Sequence, residues 1–451
     1  MTVAAHQDFV ERVWGRDATL WTGGDEDRWL GWLDEPKRMQ ERAAEIGAFA
    51  EGARARFTTF VLLGMGGSSL APEVLKRTFG AKGLHVLDTT HPAMIRHAEE
   101  LLELDKTMFI VSSKSGTTLE TRSQLDYFWE RAAGDSDQFV AITDPGSELE
   151  QLAQARGMRV FAGEPTIGGR YSALSPFGIV PAALMGIDVE RLLADGESMA
   201  EACRGETNPG LQLGLQLGDG WREGRDKVCI AETEGRFGLW AEQLIAESTG
   251  KKGRGLTPAP GESPDGPDRQ RADVRIADPY SLAGEFFRWE FAVAVAGSVL
   301  EINPFDQPDV QAAKDKTNEV LASGVEPALE PEGSLDELLE QAEPPSYVAI
   351  QAFIDPIAES ALVPLIERAR GTGCVVTHGL GPRYLHSTGQ LHKGGPPTGV
   401  FVQVVDDTGA EIPIPGRDFG FARLIRAQAE GDFRSLQERG RQIVRVHLED
   451  L

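Results

Sequence analysis

Cysteine is scarce: three in 451 residues, Cys203, Cys229 and Cys374, far apart and without a C-x-x-C pair. That argues against a disulfide framework or a cysteine-based zinc site and makes a reducing cytoplasm the default. Long apolar runs are also missing. No stretch reaches the roughly 18 apolar residues that cross a bilayer. The opening MTVAAHQDFVERVWGRD spreads its charges and has no signal-peptide core. Positive charge is outweighed, 45 Lys and Arg against 70 Asp and Glu, for a net of −25. Bulk repulsion then opposes nucleic-acid or membrane-surface binding, while an anionic substrate needs only a locally positive site. What remains is an ordinary globular composition, 41% apolar and 25% charged with 51 glycines, and enough length for two or three domains.

Residues 9–54 read as helical, a cap on the first domain. Short apolar runs then alternate with helical segments: FVLLGM (60–65), LHVLDTT (84–90), MFIVSS (108–113), FVAITD (139–144) and MRVFAG (158–163). Continuous apolar strands separated by helices predict a parallel sheet covered on both faces, with ligands beyond the carboxyl ends of the strands. A second unit begins at KVCIAE (227–232), runs through a helix at 237–249 and a Gly/Pro/Lys-rich loop at 250–267, and continues with a buried helix at 285–302. Strands at 347–354, 374–379 and 400–407 extend its sheet. The expected fold class is α/β, with two doubly wound parallel-sheet domains and helical N-terminal and C-terminal extensions. The expected boundaries are 1–55, 56–205, 206–415 and 416–451.

The stretch TMFIVSSKSGTTLET (107–121) concentrates chemistry. An apolar strand ends in Ser112–Thr118, and a helix begins at Leu119. Backbone N–H groups and the positive end of a helix dipole suit a phosphate there; hydroxyls of Ser113, Ser115, Thr117 and Thr118 add donors, and Lys114 adds charge. GMGGSS (64–69) is a second glycine-rich strand end, without the G-x-G-x-x-G dinucleotide spacing. Arg170 in GGRYS suits an anion or enolate clamp. Glu247 near a helix C-terminus reads, taken alone, as a surface carboxylate. Among eight histidines no pair has metal-ligand spacing, and chemistry alone does not choose among them.

Together GMGGSSLAPEVL, SSKSGTTLET, GGRYS, AESTGK, INPFDQPDVQAAK and LHSTGQ resemble the glucose-6-phosphate isomerase family, built from two sugar-isomerase (SIS) domains. The strongest resemblance is to the isomerase half of bacterial transaldolase/glucose-6-phosphate isomerase fusions, and it runs from about Trp14 to the tail. It implies reversible conversion of glucose 6-phosphate to fructose 6-phosphate without metal or cofactor, in a cytoplasmic homodimer. It implies substrate-binding roles for Gly67, Ser68, Ser113, Lys114, Ser115, Thr117, Thr118, Gly169, Gln243 and Gln307. It implies Glu247 as the base, Arg170 as stabiliser of a cis-enediolate, and Lys314 with His386 for ring opening. LHSTGQ here comes after the FDQPDVQAAK segment rather than preceding it, so His392 stays open as the alternative to His386. Two other functions stay open as well: an isomerase that also accepts mannose 6-phosphate, and a non-catalytic sugar-phosphate-binding regulator.

Overall fold

The structure is a computed structural model, and it describes residues 3–451. The first sheet is β1 (Thr59–Gly64), β2 (Leu84–Leu87), β3 (Thr107–Ser112), β4 (Phe139–Thr143) and β5 (Arg159–Ala162), in the order β2-β1-β3-β4-β5. Every pairing is parallel. All six residues of β3 and all five of β4 are buried, as expected of strands covered on both faces. The order reverses direction at β1/β3, and a ligand crevice belongs beyond the strand ends at that point. GMGGSS leaves β1 and SSKSGTT leaves β3, so both strand ends border the crevice.

The second half of the chain holds two further parallel sheets. A three-stranded one has the order β7-β6-β8, from β6 (Lys227–Ile230), β7 (Thr257–Pro260) and β8 (Arg269–Ala272). A four-stranded one has the order β10-β9-β11-β12, from β9 (Tyr347–Phe353), β10 (Val375–Leu380), β11 (Gly399–Val405) and β12 (Gln442–His447). Edge strand β7 lies beside edge strand β10 without joining its ladder.

Four sequence expectations change. The strands at 347–354, 374–379 and 400–407 do not extend the sheet of β6: they form the separate four-stranded sheet, while β6 pairs with β7 and β8. Residues 9–54 are not helical throughout: α-helices Val3–Trp14 and Glu35–Arg56 flank a run of 3-10 turns. Those turns cover more than the first sheet, because Trp21 Nε1 donates to the Ala294 carbonyl at 2.7 Å and Trp32 stacks on Tyr171. The loop expected at 250–267 contains β7, an edge strand that tolerates two prolines. The tail is not wholly helical. One helix spans Phe421–Glu438, and β12 then pairs in parallel with β11.

Helix Leu282–Val299 sits at the centre, with every residue buried except Ser298. Helix Pro209–Arg222 lies directly on it through a stripe of Gly210, Gly214 and Gly218. A Cβ at any of them would come within 2.8 Å of Phe291, Val295 or Val299 side-chain atoms.

Candidate active site

Beyond β3 the chain turns through Ser113–Thr118 into helix Leu119–Arg131. Gly116 has φ +72°, and a Cβ there would meet the Leu149 amide at 2.7 Å, so the turn requires glycine. Ser113 Oγ accepts from the Gly116 amide at 3.2 Å and shares a hydrogen bond with Thr118 Oγ1 at 3.0 Å. Thr118 is the N-cap residue but its hydroxyl does not cap the helix. Thr118 lines a cavity of about 300 Å³, together with Thr117, Glu120, Lys314, His386 and Gln428 among others. Lys314 is exposed at its rim.

Lys114 is placed differently from the expectation of a phosphate contact. Its ammonium donates to both Asp144 carboxylate oxygens at 2.7 Å and to the Glu164 carbonyl at 2.7 Å, and it does not line the cavity. Burial lowers its pKa below the ordinary lysine value, and the Asp144 charge opposes that shift. The physical reason is proximity: β4 ends beside β3, so Asp144 offers an anion on the far side of the turn.

The second cluster surrounds Arg170, which is 1% exposed. Its Nε donates to Ser248 Oγ at 2.7 Å, Nη1 to Gln307 Oε1 at 3.0 Å, and Nη2 to the carbonyls of Pro304 (2.7 Å) and Asp306 (3.0 Å). Nη1 also lies 3.3 Å from Glu247 Oε1. Glu247 and Gln243 sit one turn apart on helix Gly238–Thr249. Gln243 Nε2 donates to Glu247 Oε2 at 3.0 Å and to the His386 carbonyl at 2.7 Å. Gln243 Oε1 is buried without a hydrogen-bond partner among the described residues. Lys251, just past this helix, is buried and holds the same loop as Arg170: its Nζ donates to Asn303 O at 2.8 Å and Asp306 Oδ1 at 2.6 Å. Burial and the nearby Arg170 charge lower its pKa to about 8, against the pull of Asp306 and Glu247.

His386 joins the two clusters. Its backbone carbonyl receives Gln243, and its ring Nε2 lies 2.8 Å from Glu120 Oε1. Burial pushes the Glu120 carboxyl up, but the His386 charge and hydrogen bond outweigh it and hold the group below its ordinary value. The glycine pair makes this meeting possible. A Cβ on Gly66 would lie 2.5 Å from the His386 carbonyl, and one on Gly67 would lie 2.1 Å from the Gly169 carbonyl. Gly67 and Gly169 therefore meet backbone to backbone, and Ser68 is buried in the same turn, outside the cavity lining. His392 lies elsewhere, buried among Tyr347, Tyr384 and Phe401 with Nδ1 3.0 Å from Gln351. Burial and the Lys393 charge lower its pKa well below the ordinary value, so it is neutral.

Glu120, Gln428, Lys251 and Ser248 are missing from the sequence-based set. Glu120 offered a signal: a carboxylate in the first turn of a helix that should receive an anion has to be neutralised by something. Gln428 offered none. Among the described residues, no group of three or more His, Cys, Asp or Glu is placed to hold a metal ion, and no helix is long and apolar enough to cross a membrane.

Residues 32–213 match the family model for phosphoglucose isomerase. Glucose-6-phosphate isomerase of Carboxydothermus hydrogenoformans is 34% identical over 248 residues, covering 49% of this chain and 53% of that protein. Over about half its length, the chain is similar to glucose-6-phosphate isomerases. The glucose-6-phosphate isomerase of Thermus thermophilus is 32% identical over 269 residues, 56% of this chain and 64% of that one. The chain thus spans about half to two thirds of these isomerases. In fold, it is similar to the crystal structure of a glucose-6-phosphate isomerase from Chlamydia trachomatis, with a TM-score of 0.59 at 18% identity over 71% of this chain and 85% of that one. A hypothetical protein from Thermus thermophilus aligns over 99% of this chain and 84% of its own, with a TM-score of 0.51 at 22% identity. The isomerase-matched region holds the Ser113–Thr118 turn, Glu120 and Arg170; Glu247, Lys314 and His386 lie beyond residue 213.

Proposed function

We propose that this protein is a glucose-6-phosphate isomerase that interconverts glucose 6-phosphate and fructose 6-phosphate. The carrying observation is that Glu247, 3.3 Å from Arg170, is tied through Gln243 to the segment whose histidine pairs with Glu120 beside the Ser113–Thr118 turn. The sugar's phosphate sits at the N-terminus of helix Leu119–Arg131, where hydroxyls and the helix dipole receive it without reacting. His386, held by Glu120, with Lys314 at the cavity rim, moves the protons that open the ring. Glu247 takes the proton from C2 and returns it to C1 through an enediolate, while the proton on the C2 oxygen passes to the C1 oxygen. The Arg170 donors are taken up by protein acceptors, so it stabilises the enediolate chiefly by its fixed positive charge. The unpartnered Gln243 Oε1 gives a sugar hydroxyl an acceptor.

The segment order, with LHSTGQ after FDQPDVQAAK, supports grouping the chain with the isomerase half of the transaldolase fusions. The composition supports a cytoplasmic enzyme. We expect a homodimer. The test is turnover of fructose 6-phosphate by purified protein in the presence of a chelator, coupled to oxidation of the glucose 6-phosphate formed. Turnover that survives chelation supports the proposal; no turnover, or loss on chelation, ends it.

A further inference from the structure

What holds Glu120 in place decides where the His386 proton sits. Glu120 Oε1 accepts two hydrogen bonds, from His386 Nε2 at 2.8 Å and from Gln428 Nε2 at 2.7 Å. Gln428 is 3% exposed and comes from helix Phe421–Glu438, more than 300 positions away in sequence. A third group sets the direction of its amide. Thr90 Oγ1, fully buried beyond β2, donates to Gln428 Oε1 at 2.8 Å. A carboxylate only accepts hydrogen bonds, so the amide must present its NH₂ to Glu120 and its oxygen to Thr90. The charged groups facing Glu120 are His386, from the turn Arg383–His386, and Lys314, from helix Val310–Ala322. Gln428 adds a neutral donor from a third element and also lines the cavity.

We propose that Gln428 is a positioning residue for His386: it locks the Glu120 carboxylate in the orientation that holds the His386 ring beside the sugar-phosphate cavity. The consequence for turnover rests on the isomerase reading; the lock itself does not. With the amide removed, Oε1 keeps His386 as its neighbour but loses a competing donor. The carboxylate becomes more basic and holds the histidine proton more tightly.

Gln428→Met keeps length and volume and removes the donor. In nitrogen-15 NMR of the full chain labelled at histidine, His386 should titrate about one pH unit higher in this variant than in the unmodified protein. The pH profile of kcat/KM for fructose 6-phosphate should move the same way, with KM little changed. Gln428→Glu is the second variant. Its carboxyl can donate to Glu120 only while protonated; once ionised it removes the donor and adds a negative charge near the histidine, so its kcat/KM profile should move to higher pH, further than that of Gln428→Met. If Gln428→Met does not fold, that profile decides. An unmoved His386 titration, or an unmoved Gln428→Glu profile, overturns the proposal. A shifted titration in a protein that does not turn over fructose 6-phosphate upholds the lock and removes the isomerase reading.

Discussion

Arg170→Lys separates what a charge does from what a guanidinium fork does. Three nitrogens of Arg170 serve four buried or half-buried acceptors: Ser248 Oγ, Gln307 Oε1 and the carbonyls of Pro304 and Asp306. A lysine keeps the charge but has one nitrogen with three donors on a shorter stem, and can serve three of the four at best. At least one lost hydrogen bond at roughly 1 kcal/mol, plus the cost of acceptors left dry, comes to about 2–4 kcal/mol of stability. The loop Asn303–Gln307 would loosen with them, and the positive charge would leave its fixed place beside Glu247. Loss of one preorganised electrostatic group typically costs about 10²–10³ in turnover. Arg170→Lys should therefore lower kcat on fructose 6-phosphate by that factor in the coupled assay, and lower its chemical-denaturation midpoint. Turnover and midpoint both equal to those of the unmodified protein would refute the reasoning, because charge alone would then suffice.

Glu247→Gln should bind fructose 6-phosphate by calorimetry but lose turnover by about a thousandfold or more; persistent activity would mean another base. Lys251 holds its Asn303 and Asp306 acceptors with three donors and a full charge only while protonated, and with its pKa lowered to about 8 the charge and one donor are lost as pH rises through this value. Activity should then decline above about pH 8, and Lys251→Met should be slower at neutral pH and lack this decline. Lys114→Met should destabilise the protein by about 1–3 kcal/mol, because it strands Asp144, and should raise the KM for fructose 6-phosphate less than Thr118→Ala does. Asp432 is fully buried between Lys393 Nζ and the Tyr384 hydroxyl. Asp432→Ala leaves an ammonium uncompensated and should cost about 3–5 kcal/mol in chemical denaturation.

The first sheet is legible in the sequence because its strands are buried on both faces. Runs such as MFIVSS and FVAITD have no polar alternation to confuse with a helix stripe, and each is bounded by a turn. The second half is less legible. TPAP and RQRA carry no apolar run, and they become β7 and β8 only because β6 lies between them. VRVHL looks like the end of a charged tail until the ladder with β11 is seen, from Val400–Gln442 to Val405–His447. In each case tertiary pairing overrides a weak local preference.

The site divides along a similar line. Anion-friendly motifs stand out locally, since a strand end, hydroxyls and a helix start are all neighbours in sequence. What those groups face is non-local. Lys114 belongs chemically in a phosphate loop, and nothing nearby in sequence says that Asp144 and the Glu164 carbonyl, 30 and 50 positions on, will engage its ammonium first. Gly66 and Gly67 read as a tight turn at a ligand, yet their missing side chains admit the carbonyls of His386 and Gly169. That backbone contact has a chemical consequence. The His386 carbonyl displaced by any Cβ on Gly66 is the same atom that receives Gln243, and Gln243 is the residue that also holds Glu247. The glycine turn therefore sets the spacing between the proposed ring-opening histidine and the proposed base, a role that depends on three segments meeting and has no signature within any one of them.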